Sequence, residues 1–210
     1  MKQEIARRLL DVKAVQLRPD EPFTWSSGWK SPIYCDNRVT LSYPEVRTFI
    51  KNALADTIRE HYASAEVIAG VATAGIAQGA LVAEVLNLPY CYVRPEPKKH
   101  GMGNQIEGRL EAGRNVVVVE DLISTGGSSL KVVDVLRQAG AEVIGMAAIF
   151  TYGFSVAAEN FQKAGVPLLC LSDYEALLQE AQQLNYIAPN SLASLAAWRQ
   201  NPAEWQGIKG

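Results

Sequence analysis

Two adjacent carboxylates stand between an apolar run and a polar, glycine-rich loop in the stretch VVVVEDLISTGGSS, residues 116–129. Four β-branched residues without alternation predict a strand at Val116–Val119 that is buried on both faces of a parallel sheet. Glu120 and Asp121 are then expected at the carboxyl end of this strand, where burial of either charge is unfavourable. Hydroxyl groups of a ligand would satisfy both acids.

The loop that follows the acids, Ser124-Thr125-Gly126-Gly127-Ser128, has the composition of a phosphate site. Glycines let the backbone approach a ligand, hydroxyls add donors, and the dipole of the helix predicted at about 127–139 favours an anion. The loop lacks both the GK[ST] of a P-loop and the pattern GxGxxG. The alternative is a plain strand-to-helix turn. Because the acids would repel the phosphate but accept hydrogen bonds from a diol, the whole stretch predicts a site for a phosphorylated sugar.

A second loop, Ala72-Thr73-Ala74-Gly75, lies at the end of another predicted strand. The carboxyl ends of parallel strands meet at one edge of a sheet, where ligands bind. Thr73 and Gly75 are therefore expected beside the first loop, although a simple turn would have the same sequence.

A third candidate is the polar segment from Arg94 to Gly113, twenty residues with little apolar content. Loops of this length inside a domain are mostly lids, binding loops or disordered segments. Next to an anion site we expect a long mobile lid that closes with its cations, rather than a solvated surface loop. The cations are Arg94, Lys98, Lys99, His100 and Arg109.

Alternating strand and helix patterns must position these loops. The chain predicts an α/β fold, a parallel twisted sheet flanked by helices with right-handed crossovers. Residues 14–40 read as irregular strands and turns, and residues 184–210 as a C-terminal packing extension. Strands are predicted at 66–72, 90–93, 116–119, 142–152 and 166–172, and helices at about 2–13, 44–62, 76–86, 127–139, 155–164 and 173–183. Ser42–Glu45 and Ser172–Glu175 are predicted capping boxes.

Length and composition fit a single domain, with 210 residues, of which 48% are hydrophobic and 20% charged. A net charge of −2 gives no broad attraction to nucleic acid or to an anionic membrane. Three cysteines without a CxxC pair argue against a disulfide framework or a zinc cluster. The sequence shows no secretory signal and no 18-residue apolar run, which predicts a cytoplasmic protein.

The stretch EDLISTGGSS resembles the ribose-5-phosphate loop of the type I phosphoribosyltransferases. Within them, FTWSSGWKSPIYCDNR together with Arg94-x-x-x-Lys98-x-His100-Gly101 is similar to the orotate phosphoribosyltransferases. The resemblance runs from about residue 20 to 175. It implies transfer of a phosphoribosyl group from phosphoribosyl diphosphate to orotate, giving orotidine 5'-phosphate and diphosphate in UMP biosynthesis.

The resemblance also implies residue roles. Glu120 and Asp121 would hold the ribose hydroxyls, and Thr73 and Gly75 would flank the diphosphate. Lys98, His100 and Asp121 would be catalytic. Orotate would meet Ser124, Lys30 and Tyr34, where Lys30 and Tyr34 belong to an N-terminal hood over the base pocket. The 5-phosphate and the adjoining ribose would lie against Leu122, Ile123, Ser124, Thr125, Gly126, Gly127 and Ser128.

Two further expectations follow from the same resemblance. The lid, with Arg94, Lys98 and His100, would reach into the site of a second subunit, so that a homodimer is the working unit. Mg²⁺ would accompany the diphosphate, held mainly by substrate oxygens and water rather than by protein ligands.

The sequence departs from the resemblance at three places. Some members carry a lysine at the position of Ser26, and some a second basic residue at that of Pro95. Several have an arginine after the strand of residues 142–152 for the orotate carboxylate, whereas this chain has no arginine between Gly140 and Trp198. Lys30, or backbone N–H groups near Ser26–Gly28, would take that role.

Other functions remain open at this point. One is a phosphoribosyltransferase for another base, such as a purine, and another is a regulator that uses the fold as a nucleotide sensor. A dinucleotide-dependent oxidoreductase is disfavoured because GxGxxG is missing. Only about 35 residues follow the matched region, too few for the decarboxylase barrel that some organisms fuse to this activity, so one activity is expected.

Overall fold

The central element of the computed structural model, which describes residues 1–25, 28–96, 105–205 and 207, is a mostly parallel six-stranded sheet. Four short strands precede it, namely β1 (Val15–Leu17), β2 (Phe23–Thr24), β3 (Lys30–Ser31) and β4 (Ile33–Cys35). The sheet contains β5 (Val67–Val71), β6 (Tyr90–Val93), β7 (Ile106–Glu107), β8 (Asn115–Ile123), β9 (Glu142–Thr151) and β10 (Leu168–Asp173). Its order is β10-β9-β8-β5-β6-β7, and only the edge strand β7 is antiparallel to its neighbour.

Helices cover both faces of this sheet. They are α1 (Lys2–Asp11), α2 (Pro44–His61), α3 (Gly75–Leu86), α4 (Gly127–Gln138), α5 (Ser155–Ala164), α6 (Tyr174–Gln183) and α7 (Leu192–Gln200). Short 3-10 helices occupy Asn37–Ser42 and Pro189–Ser191. Strand β6 and helix α5 have the predicted bounds, and the predicted α/β fold with a parallel, helix-flanked sheet is confirmed.

Strand β8 shows why an apolar run without alternation belongs in the centre. Val116 and Val118 pack in the core under α4 and α5, whereas Val117 and Val119 pack in the core under α1, α2 and α3. All four side chains have zero solvent exposure. A strand with helices on both faces buries every side chain, as the sequence predicted.

The hood over this sheet, residues 14–40, consists of two small antiparallel sheets, β1 with β4 and β2 with β3. Each pairing spans only three or two residue pairs, so packing against the main domain must contribute to its orientation. The 3-10 helix Asn37–Ser42 then leads the chain from the hood into α2.

Both predicted capping boxes are wrong in detail. Ser42 belongs to the 3-10 helix, and Tyr43 occupies the N-cap of α2 without a side-chain hydrogen bond. At α6 the cap is Asp173, whose Oδ1 accepts a 2.9 Å hydrogen bond from the Ala176 N–H. Ser172 is still paired in β10, and its hydroxyl donates to the carbonyl of Lys2. Neither serine caps the helix that follows it, because Ser42 belongs to the preceding 3-10 helix and Ser172 to strand β10.

Among the described residues, no helix combines the length and the apolar character needed to cross a membrane.

Candidate active site

Glu120 and Asp121 lie inside β8, not after it. The strand was predicted to end at Val119, but its pairing with β9 continues from Glu120 to Ile123. The backbone of β9 supplies this pairing regardless of side-chain charge, which the sequence pattern does not reveal. The two consecutive side chains therefore have different environments, as expected of neighbours in a strand.

Glu120 is held from within the protein. Its side chain is 5% exposed, its Oε1 accepts a 2.9 Å hydrogen bond from the Asp121 N–H, and its Oε2 accepts one of 2.8 Å from the Ser129 hydroxyl. Burial, and then the Asp121 carboxylate, raise the pKa of Glu120 well above its usual range. Burial also raises the pKa of Asp121, although hydrogen bonds with Glu120 and the backbone partly offset this effect. The Asp121 carboxylate therefore disfavours ionisation of Glu120.

The glycine-rich loop turns sharply into α4. Gly126, the N-cap, has a φ of +82°, and no side chain caps the first turn of the helix. A Cβ on Gly126 would lie 2.6 Å from the Phe161 ring, so the loop needs glycine for both its conformation and its space. The uncapped N-terminus of α4 is thus available to an anion.

The second loop, from Ala72 to Ala74, lies beside the first as predicted. The Ala72–Thr73 peptide bond is cis, and α3 begins directly after the loop at Gly75. A Cβ on Gly75 would lie 2.6 Å from the carbonyl oxygen of Val119, so glycine allows α3 to pack directly on β8.

One cavity of about 330 Å³ joins both loops and both acids. Of the residues predicted in β8 and the two loops, three lie outside its lining: Ile123 has zero exposure, and Gly75 and Gly127 begin their helices beside it. Ser129 lines the cavity and was missed, because its bond to Glu120 arises only when α4 folds back on β8. The predicted residues that line it are Thr73, Glu120, Asp121, Leu122, Ser124, Thr125, Gly126 and Ser128.

A larger cavity of about 610 Å³ opens beneath the hood. Tyr34 lines it, as predicted. Lys30 does not line it, but the Lys30 Nζ donates a 3.0 Å hydrogen bond to the hydroxyl of Thr24, which does. The aromatic walls at Trp25 and Tyr152 were not predicted, although FTW is an unusually aromatic piece of a polar segment. The lining comprises Phe23, Thr24, Trp25, Tyr34, Cys35, Leu122, Ser124 and Tyr152.

The two cavities share a wall. Leu122 and Ser124 line both of them, so a ligand group in one lies next to a group in the other. Asn37 also ties the hood to the acids, since its side-chain amide donates a 2.8 Å hydrogen bond to the carbonyl of Asp121.

The predicted lid is described only at its two ends. The Arg94 N–H donates to the carbonyl of Gln105, and the Arg94 guanidinium lies 3.7 Å from the Glu107 carboxylate. Ile106 and Glu107 form β7 rather than a loop, because Ile106 is buried in the core. Lys98 and His100 lie outside the described residues.

Comparison with known proteins agrees with this geometry. A family model described as "Phosphoribosyl transferase domain" matches residues 41–166, more than half of the chain. An orotate phosphoribosyltransferase of Cytophaga hutchinsonii is 57% identical over 204 residues, which cover 97% of this chain and 98% of that protein. This chain belongs to the phosphoribosyltransferase family, and within it to the orotate phosphoribosyltransferases.

Solved structures support the same assignment. The crystal structure of orotate phosphoribosyltransferase from Aeropyrum pernix matches with a TM-score of 0.75 and 31% sequence identity. The match covers 88% of this chain and 99% of that one. The structure of Leishmania donovani UMP synthase has a TM-score of 0.79 and 27% identity, and it covers 94% of this chain and 42% of that one.

The phosphoribosyltransferase domain match divides the site. Residues 41–166 contain both loops and both acids, whereas the hood lies before the match and α7 lies after it. The smaller cavity, which joins both loops and both acids, thus belongs to the general domain, and most of the lining of the larger cavity beneath the hood belongs to its N-terminal flank.

The smaller cavity has suitable chemistry for Mg²⁺. The Asp121 carboxylate and the Thr73 hydroxyl, which line it, are the hard oxygen donors that this ion prefers. Nowhere in the described part of the chain do three His, Cys, Asp or Glu side chains form a group that could hold a metal. This donor set fits an ion that is bound largely through the oxygens of its ligand.

Proposed function

We propose that this phosphoribosyltransferase transfers the 5-phosphoribosyl group from phosphoribosyl diphosphate to orotate, producing orotidine 5'-phosphate and diphosphate in pyrimidine biosynthesis. The observation that carries the proposal is the wall of Leu122 and Ser124 shared by the two cavities. We call the smaller one, with both loops and both acids, the sugar-phosphate cavity, and the larger one beneath the hood the base cavity. A base in one and a ribose in the other meet at this wall, where the new bond forms.

The 5-phosphate binds at the loop of Ser124–Ser128, where the first-turn N–H groups of α4 and the serine and threonine hydroxyls donate to it. The ribose hydroxyls donate to Asp121 next to that loop. Glu120 has both oxygens engaged by the Asp121 N–H and the Ser129 hydroxyl, so its contribution to the diol depends on remaining lone pairs. The diphosphate extends toward Thr73.

The base lies among the aromatic walls of the base cavity, where its planar ring stacks on Trp25 or Tyr34. Lys30 is the cation we assign to the carboxylate of orotate, since its ammonium donates a hydrogen bond to Thr24, which lines this cavity. The hydroxyl of Ser124 faces the base from the shared wall.

In the reaction, N1 of orotate forms a bond with the anomeric carbon, and the proton of N1 is released to solvent. The bond between that carbon and the diphosphate oxygen breaks, and its electron pair leaves with the diphosphate. Positive charge develops on the ribose beside Asp121, whose carboxylate stabilises it. When bound, Mg²⁺ would neutralise charge on the diphosphate.

The lid completes the site from a second subunit of a homodimer. Arg94, Lys98 and His100 provide cations for the leaving diphosphate, and closure of the lid excludes water that would hydrolyse the donor. We also propose that the protein acts in the cytoplasm.

The test is the ultraviolet change on mixing the protein, Mg²⁺, phosphoribosyl diphosphate and one base at a time. We expect orotate to be consumed at least about 100-fold faster than uracil, because uracil lacks the carboxylate that we assign to Lys30. Consumption of hypoxanthine or adenine in place of orotate would refute the assignment of the base.

A further inference from the structure

Trp198, on the C-terminal helix α7, packs behind the base cavity without lining it. Its side chain has zero exposure, and within the described part of the chain its Nε1 has no hydrogen-bond partner. Ring packing therefore fixes its position. The ring centroids of Trp25 and Tyr152 are both 5.7 Å from that of Trp198, in edge-on arrangements of 88° and 89°.

The two rings that Trp198 contacts are themselves walls of the cavity. Trp25 and Tyr152 line it, and their ring centroids are 5.4 Å apart. Two other rings, Phe154 at 5.4 Å and Tyr174 at 5.2 Å, contact Trp198 away from that lining. The aromatic cluster thus links the cavity wall to α6 and α7.

The short hydrogen bonds of Trp25 hold its backbone rather than its ring: its N–H donates one of 2.9 Å to the Trp29 carbonyl, and its own carbonyl accepts one of 2.8 Å from the Gly28 N–H. Strands β2 and β3 share two residue pairs, and the indole of Trp25 donates one long hydrogen bond, 3.3 Å, to the carbonyl of Ile33. Packing against Tyr152 and Trp198 is therefore a principal restraint on the tilt of the Trp25 ring.

We propose that Trp198 is a positioning residue for the base: α7 sets the width of the base cavity by holding Trp25 against Tyr152. This inference rests on the proposed function of that cavity. The sugar-phosphate cavity lies across the shared wall and contains none of the rings of the cluster, so its affinity does not depend on Trp198.

The test compares KM for the base with KM for phosphoribosyl diphosphate in two variants. Trp198→Leu is expected to raise the KM of orotate about tenfold, since small misplacements of binding groups are costly, and to change that of phosphoribosyl diphosphate less than about twofold. Trp198→Phe keeps a ring and loses no hydrogen bond, so it should restore most of the orotate KM. Equal changes in both KM values, or none, would overturn the proposal.

The matched control is Leu195→Ala, which removes a fully buried side chain from the same helix. It should lower Tm without changing either KM, which separates positioning of the base from general loss of stability. If it raises the orotate KM as Trp198→Leu does, the effect belongs to the stability of α7 and the proposal is wrong.

The wild-type assay distinguishes failure of the proposed function from failure of the positioning role of Trp198. If the wild type consumes another base, the proposed substrate is wrong, while the split between the two KM values still tests Trp198 with that base. If no base reacts, a crystal structure of Trp198→Leu decides, and Trp198→Met, which also lacks a ring, replaces it if Trp198→Leu does not fold. We expect the Trp25 ring to shift relative to Tyr152, and an unmoved pair would overturn the proposal.

Discussion

The hydroxyl of Ser129 donates a 2.8 Å hydrogen bond to the Glu120 carboxylate, which joins the first turns of α4 to strand β8. Through this bond the helix that we propose to bind the 5-phosphate also orients the acid next to the proposed ribose site. Glu120 in turn accepts from the Asp121 N–H, so the phosphate and diol halves of the cavity form one connected unit.

The protonation of this unit makes stability depend on pH. The folded-state pKa of Glu120 is raised above its ordinary value of 4.5, so between that value and the raised one the folded state binds more protons than the unfolded state. Its contribution to the free energy of unfolding is therefore full at low pH and is lost as the pH rises through the folded-state pKa.

Glu120→Gln should remove this dependence, because the amide can accept from the Asp121 N–H and donate to the Ser129 hydroxyl. We expect the variant to gain stability relative to the wild type as the pH rises above about 5, measured by urea unfolding across the pH range. Glu142→Gln, an exposed change on β9, is the control. Parallel curves for the wild type and Glu120→Gln would contradict the raised pKa.

Gly126 and Gly113 form a matched pair for testing the phosphate loop. Both have positive φ, +82° and +78°, but an added Cβ meets the Phe161 ring at Gly126 and nothing within 4 Å at Gly113. Gly113→Ala should cost about 1 kcal/mol of backbone strain. Gly126→Ala should cost about 1–3 kcal/mol more through overpacking.

Only Gly126→Ala should also weaken binding of phosphoribosyl diphosphate, because it displaces the loop that receives the 5-phosphate. Thermal unfolding and calorimetric titration give the two quantities. Equal losses of stability in the two variants would mean that the loop is not packed against Phe161.

Lys30 should discriminate between bases by their charge. Lys30→Met is expected to raise the KM of orotate about tenfold or more, since a hydrogen bond to a charged group contributes about 1.5–3 kcal/mol. Activity with uracil, which lacks the carboxylate, should stay unchanged, however low it is. Equal losses with both bases would assign Lys30 to the hood structure instead, where it donates to Thr24.

Lys98 should act on turnover. Lys98→Ala is expected to lower kcat about 100-fold or more, by analogy with the loss of one preorganised electrostatic donor. Lys99→Ala removes the same charge from the neighbouring position and should have a much smaller effect. An unchanged rate in Lys98→Ala would remove this residue from the mechanism.

Local sequence patterns predicted much of the fold but a smaller part of the candidate site. The buried run before Glu120 and the alternation of strands and helices predicted the central sheet, and glycines next to hydroxyls predicted the loop at α4. The extension of β8 through Glu120 was missed because β9 provides its hydrogen bonds. Tyr152 and Trp198 were missed because their contact with Trp25 joins distant segments through tertiary packing alone.

The central claim is that the acids and the loop after them bind one sugar phosphate, and calorimetric titration of phosphoribosyl diphosphate with Mg²⁺ tests it most directly. Asp121→Asn should weaken binding about tenfold or more, because hydrogen bonds to a charged group contribute about 1.5–3 kcal/mol. Asp134→Asn, the same charge change on the exposed face of α4, should leave the affinity unaltered. Full affinity in Asp121→Asn would contradict the account.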